Sequence, residues 1–164
     1  MVQALAIRVK LRILPQQKSS VGMSAIALPA MPNAPLPAHF ERFLEAPRTC
    51  VMATVRPDGA PVTLPCWYDY EGDGRVLLSS GRSAPRLESL RHNPRVALTI
   101  LGDDWYTHLS LLGHVVEQHP DDGLSDLDRL SMQYLGTPYP ERCPCVTTII
   151  EVDGYHSYGS GFAP

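Results

Sequence analysis

Residues 50–80 read CVMATVRPDGAPVTLPCWYDYEGDGRVLLSS, and the alternation within them decides the fold. Cys50 to Arg56 is apolar with β-branched residues, and Pro57-Asp58-Gly59 carries turn chemistry. Val62 to Tyr70 then places Val62, Leu64, Cys66, Tyr68 and Tyr70 on one face, so the two segments form a β-hairpin. Glu71-Gly72-Asp73-Gly74 turns the chain again into Arg75 to Ser80, giving three antiparallel strands in succession. Pro65 has no N–H to give to a ladder. The second strand is therefore expected at a sheet edge or a bulge, where a flat ligand can lie against exposed backbone.

Upstream of this stretch, Phe40, Phe43 and Leu44 recur at helical spacing between Pro37 and Pro47, which predicts a short opening helix. Downstream, Ser83 is placed to cap a second helix with Pro85 in its first turn, Leu87 and Leu90 inward, and Pro94 just past its end. Arg95 to Leu101 reads as a strand, and after Gly102-Asp103-Asp104 a long strand is expected from Trp105 to Gln118. Ser125 with Asp128 resembles a capping box at the start of a third helix, with Leu127, Leu130 and Tyr134 inward and Gly136 closing it. Cys145 to Val152 supplies the last strand. Six strands with a helix after the third and another before the last predict a mainly β fold with short helices, a six-stranded antiparallel barrel. Parallel βαβ units are absent from this order, which excludes a dinucleotide-binding sheet.

The chain of 164 residues is sized for one domain, and 44% hydrophobic with 19% charged residues is enough to build a core. With Gly 12 and Pro 16 it is too heavily punctuated for a helical bundle. Residues 1–36, with Pro15, Pro29, Pro32 and Pro35 and no sustained period, read as a flexible tail, leaving 37–164 as the domain. The tail is basic and acid-poor like a targeting peptide, but its apolar part, Val21 to Ala30, is interrupted; Met23 and Met31 are alternative starts.

Arg8, Lys10, Arg12 and Lys18 are the only charges before residue 41, so the other 124 residues hold 10 basic and 17 acidic ones. An acidic body lacks the broad basic surface that displaces counterions from nucleic acid, and that class is set aside. Cys50, Cys66, Cys143 and Cys145 form no secreted disulfide framework, so reduced thiols and a cytoplasmic location are expected. Cys143-Pro-Cys145 and the trio His108, His114 and His119 lack zinc-motif spacing, and no metal is expected. No run of 18 uncharged apolar residues occurs, which argues against a membrane-spanning helix. Trp67, Trp105 and several tyrosines on strands either complete the core or cover a homodimer interface.

The segment with most chemistry is Ser79-Ser80-Gly81-Arg82-Ser83-Ala84-Pro85-Arg86, between a strand end and a helix start. Backbone N–H groups there point outward, serine hydroxyls add donors, and two guanidinium forks suit phosphate oxygens. The same residues also serve as an ordinary turn, with Ser83 as cap and both arginines in water. Arg129, on the later helix, is expected to lie apart from this group.

Taken in order, Phe43-Leu44, Ala53 to Pro61, Pro65-Cys66-Trp67-Tyr68, Ser79 to Ser83, Leu90 to Val96 and His156 to Gly159 resemble the pyridoxamine 5′-phosphate oxidase-like split-barrel superfamily. They are most similar to the branch using the deazaflavin coenzyme F-420. The resemblance implies a six-stranded split-barrel homodimer with cofactor sites at the interface. It implies a phosphate at Ser79, Ser80, Arg82, Ser83 and Arg86, and a tricyclic ring along Val62, Leu64, Pro65 and Trp67. The chain departs from the family pattern in having Arg86 where Lys is common and Glu88 where Arg is common, and FMN competes with coenzyme F-420 as the ligand.

The function so implied is hydride transfer between such a cofactor and a small unsaturated or quinone-like acceptor. Tyr68, Tyr106 and His108 are candidate proton donors, and no catalytic residue is assigned. A non-catalytic binding or interaction protein on the same barrel is the second reading, favoured by Glu88, whose charge opposes an acidic cofactor tail.

Overall fold

The computed structural model describes residues 34–104 and 106–162. Residues 1–33 of the expected tail, with its targeting-like features and alternative starts, and Trp105 lie outside them. Leu36, just before Pro37, is buried in the main core, where its apolar side chain is withdrawn from water.

The described residues form α1 (Ala38–Leu44), β1 (Cys50–Val55), β2 (Pro61–Cys66), β3 (Asp69–Gly72), β4 (Arg75–Gly81), α2 (Pro85–His92), β5 (Arg95–Leu101), β6 (His108–Asp121), α3 (Ser125–Leu135) and β7 (Cys145–Tyr158). Seven strands replace the expected six because the stretch from Val62 to Tyr70 is interrupted at Trp67-Tyr68. All pairings are antiparallel and the order is β2-β1-β5-β6-β7-β4-β3. Strand β2 is at one edge, as Pro65 requires, and β3 is at the other.

That order dictates curvature. In a flat sheet of seven strands the two edges would stand about 29 Å apart. Yet β2 and β3 are consecutive, and the short link from Cys66 to Asp69 reaches only on the order of 10 Å. The sheet must curl until its edges nearly meet, leaving a split between them. Inside pack Phe40, Phe43 and Leu44 from α1 with Met52, Val76, Leu98, Ile100, Leu109, Leu111 and Ile150.

Strands β6 and β7, each 14 residues, bend through register shifts at Leu112/Gly113 and Val115/Glu117. At Gly113 the partner strand leaves no room for a side chain: a Cβ there would overlap the Glu151 carbonyl oxygen.

Two helix starts differ from the sequence expectation. Ser83 does not cap α2, whose N-cap is Ala84 with no side-chain bond and Pro85 in the first turn. At α3 the capping acceptor is Asp121, just upstream of the Ser125/Asp128 pattern: its carboxylate receives the Leu127 amide at 3.0 Å and the Ser125 hydroxyl at 3.4 Å. Asp128 instead accepts from the Tyr139 amide and Arg142. Helix α3 is tied to the β3 edge by Arg129, which reaches Asp69 at 3.2 Å and Glu71 at 2.9 Å.

Candidate functional site

The closed geometry leaves a cavity of about 540 Å³ where the end of β4, the end of β2 and α3 converge. Its wall includes Pro65, Cys66 and Trp67 from the β2 edge, Ser79, Ser80 and Gly81 from β4, and Arg86 from α2. Leu127, Leu130 and Tyr134 of α3, with Tyr139, Cys143 and Cys145 after it, close the other side. A second cavity, about 740 Å³, is lined by Thr54, Arg56, Asp58, Val62, Leu64, Arg86 and Glu88, among others. Arg86 borders both.

Arg86 is half-buried because α2 begins immediately above the end of β4. Its Nε donates to Ser80 Oγ at 2.7 Å and its Nη2 to the Ser79 carbonyl at 3.3 Å, which fixes the fork and leaves both N–H groups of Nη1 and the second of Nη2 as donors. Burial pulls this guanidinium below its ordinary value, opposed by the sulfur of Cys66 beside it. Ser79 Oγ, on the same wall, is buried with no oxygen or nitrogen partner, and its one polar neighbour is the weakly accepting sulfur of Cys145. Sulfur is a weak acceptor, so a bound phosphate oxygen would be a stronger partner for this buried hydroxyl. An immobilised cation beside a weakly paired donor is a suitable anchor for one phosphate group.

Arg82 and Ser83 are placed otherwise than expected. Arg82 extends across to Asp122, pairing at 3.0 Å, and Ser83 is exposed in the turn; neither borders the two cavities. The two guanidinium forks therefore do not converge. The acid that diverts Arg82 follows β6, forty residues on, and no local pattern announces it.

The ring-side residues also divide. Pro65 and Trp67 face the first cavity, while Val62 and Leu64 face the second. One face of Trp67 is already covered by Tyr134, stacked at 5.3 Å with 13° between the planes, and Tyr139 meets it edge-on at 6.0 Å. Tyr134 Oη lies 3.0 Å from the Arg48 carbonyl and 3.3 Å from that of Tyr68, and accepts from the Tyr68 amide at 3.3 Å. Burial raises its phenol to about 12. Its inward direction was legible from helical spacing, but not that it would roof the site.

The expected proton donors lie away from the cavities. Tyr68 is buried, donates to the Ala46 carbonyl at 3.0 Å, and is pushed up chiefly by burial. His108 stacks on Tyr158 at the far end of the β6/β7 pair, and Tyr106 is exposed.

The sequence reading also missed the thiols. Cys50 and Cys66 are direct partners across β1 and β2, with sulfurs 3.8 Å apart, and Cys143 and Cys145 have sulfurs 3.9 Å apart. All four border the first cavity, and all four are free. Among the described residues no three His, Cys, Asp or Glu side chains are grouped to hold a metal ion, and no helix is long and apolar enough to cross a membrane.

Comparison with solved structures places this arrangement among known folds. The chain is similar to an F420 reductase, at 25% identity and a TM-score of 0.67, over 74% of this chain and 98% of that one. It is also similar to a conserved hypothetical protein of Mycobacterium tuberculosis, at 23% identity and a TM-score of 0.57, over 80% and 91%. The General Stress Protein 26 of Bacillus anthracis shares the fold at 19% identity and a TM-score of 0.54, over 73% and 94%. A search of curated proteins gives no match. A family model described as pyridoxamine 5′-phosphate oxidase matches residues 36–144, a span from the first core residue to the loop before β7. The mainly β split barrel is thus a shared fold, and the chain belongs to the pyridoxamine 5′-phosphate oxidase family.

Proposed function

We propose that this protein is an oxidoreductase that moves a hydride between a bound deazaflavin (coenzyme F-420) or FMN and a small unsaturated or quinone-like acceptor. The observation that carries the reading is the pairing of Arg86, fixed by Ser80, with the buried hydroxyl of Ser79, which has no oxygen or nitrogen partner, in the wall of a cavity also lined by aromatic side chains. Its family and its similarity to an F420 reductase support it.

The bound cofactor would supply the hydride chemistry through its ring. The chain's own residues bind and orient. Arg86 and Ser79 would hold the phosphate, and Pro65, with no N–H to be solvated, and the rim of Trp67 would offer an apolar surface to the ring. Leu127 and Leu130 would keep water from that side. The second cavity carries Arg56 and Arg86 against Asp58 and Glu88, and Arg56 is already paired with Asp58 at 3.0 Å. Such a balanced surface gives an acidic cofactor tail little net attraction, which keeps FMN in contention. Where Glu88 prevents turnover, the barrel would act as a cofactor-binding protein.

The test is consumption of reduced cofactor. Purified protein is mixed with reduced coenzyme F-420, or with reduced FMN under anaerobic conditions, and a panel of quinones and enones, following absorbance. Acceptor-dependent oxidation above the uncatalysed rate is expected. Saturable binding without consumption by any acceptor would replace the enzyme with a binding protein.

A further inference from the structure

We propose that Cys50 and Cys66 form a redox-active dithiol in the wall of the first cavity, which a hydroperoxide converts to a disulfide. Neither the family assignment nor the cofactor reading requires it, and it holds whatever the cavity binds.

The argument begins with register. Cys50 opens β1 and Cys66 closes β2, and the two are direct antiparallel partners. Such partners have Cα atoms about 4.5–5.5 Å apart, inside the range of about 4.4–6.8 Å that a disulfide tolerates. Their sulfurs are already 3.8 Å apart. The pair terminates the hairpin, so side-chain rotation with a small shift at a strand end can bring them to bonding distance. Cys50 is fully buried, whereas Cys66 is partly exposed and reachable from the cavity.

The two thiols are also chemically unequal. Cys66 is held below the ordinary thiol value, first by the hydrogen bond it shares with Cys50, then by the Arg86 charge and the Met52 amide, against the opposing effect of burial. Cys50 is pushed up by that same hydrogen bond and by burial, so it is the thiol of the pair that keeps its proton once Cys66 ionises; while both are protonated, Cys66 donates to Cys50. A nucleophile open to the cavity is thus backed by a protonated partner.

The chemistry balances as follows. The Cys66 thiolate attacks one peroxide oxygen, the O–O bond breaks, and the departing oxygen takes a proton and leaves as water or an alcohol. Cys66 becomes a sulfenic acid. The Cys50 sulfur, giving up its proton, attacks the Cys66 sulfur, the S–O bond breaks, and water leaves. Two thiols lose two electrons to one peroxide. Cys143 and Cys145 have comparable sulfur spacing, but they stand two residues apart along one stretch of chain and are not cross-strand partners like Cys50 and Cys66.

The test uses the reduced full-length chain without cofactor. It is exposed to hydrogen peroxide, remaining thiols are alkylated, and peptides are mapped by mass spectrometry. A Cys50–Cys66 cross-link that dithiothreitol reverses is the expected product. In Cys50→Ser, Cys66 should accumulate as a dimedone-reactive sulfenic acid, and Arg86→Gln should slow Cys66 oxidation about tenfold by lowering its thiolate fraction. A cross-link confined to Cys143–Cys145, or Cys50 and Cys66 both still alkylatable after peroxide, would overturn the proposal. Because wild-type mapping decides this by itself, a variant that fails to fold does not obscure the answer. Since no cofactor is present, the result is also separate from the hydride-transfer assay.

Discussion

Arg86 shows how a residue becomes functional through what holds it. Its stem is buried where α2 meets β4, and Ser80 and the Ser79 carbonyl use two of its nitrogens. A free arginine would lose rotamer entropy on gripping an anion, and here much of that loss is already incurred in folding. Arg86→Lys should weaken binding of a phosphorylated cofactor by about tenfold, because a point charge loses the fork geometry while the cation remains; isothermal titration with FMN and coenzyme F-420 measures this. Tyr134 gives a pH prediction. Its folded phenol sits near 12, above the ordinary value of 10, so the unfolded chain releases this proton first. Stability should therefore fall as pH rises through that window. Chemical denaturation of wild type and Tyr134→Phe between pH 9 and about 12 should show the shallower fall in the variant. At this scale the gathering of Ser79, Ser80 and Arg86 was legible because a strand-to-helix turn brings its own donors together. Arg82 was not, since Asp122 reaches it only through the fold.

Elements were legible where the pattern was local and obscured where pairing decided. The alternation from Val62 to Tyr70 was visible, but the break at Trp67-Tyr68 follows from the strand leaving one sheet edge for the other, and no single-strand period records that. The α3 start was read from Ser125 and Asp128, yet its acceptor is Asp121 at the end of β6, so sequence identified the helix and misplaced its cap. Arg129, expected only to lie apart from the Ser79–Arg86 group, is a clamp between α3 and β3, with Asp126 at 3.7 Å. Arg129→Glu would set a carboxylate among three others; a drop in thermal midpoint is expected, which makes Arg42 of α1 the better charge-reversal control. At the β6/β7 bend, Gly113→Ala should cost about 1–3 kcal/mol from overpacking against the Glu151 carbonyl, read by urea denaturation. Unchanged stability would mean that the strands separate there more easily than their register implies.

For the whole molecule, the deciding fact is that consecutive strands β2 and β3 occupy opposite edges of one sheet. This closes the barrel, sets the Pro65 edge against the end of β4, and leaves the first cavity between them. Val62, Leu112 and Val116 remain exposed apolar residues on β2 and β6. We expect a homodimer that covers such surface, and sedimentation equilibrium should give about twice the 18.1 kDa chain mass. The central claim is that the Ser79–Arg86 corner holds the anionic end of a planar redox cofactor. It is tested most directly by fluorescence titration of FMN and coenzyme F-420 into wild type, Arg86→Glu and Arg42→Glu. Saturable binding of at least one cofactor, weakened by about a hundredfold in Arg86→Glu and little altered in Arg42→Glu, is the predicted result. Binding that is equally tight in all three, or absent from the wild type with both cofactors, would contradict it.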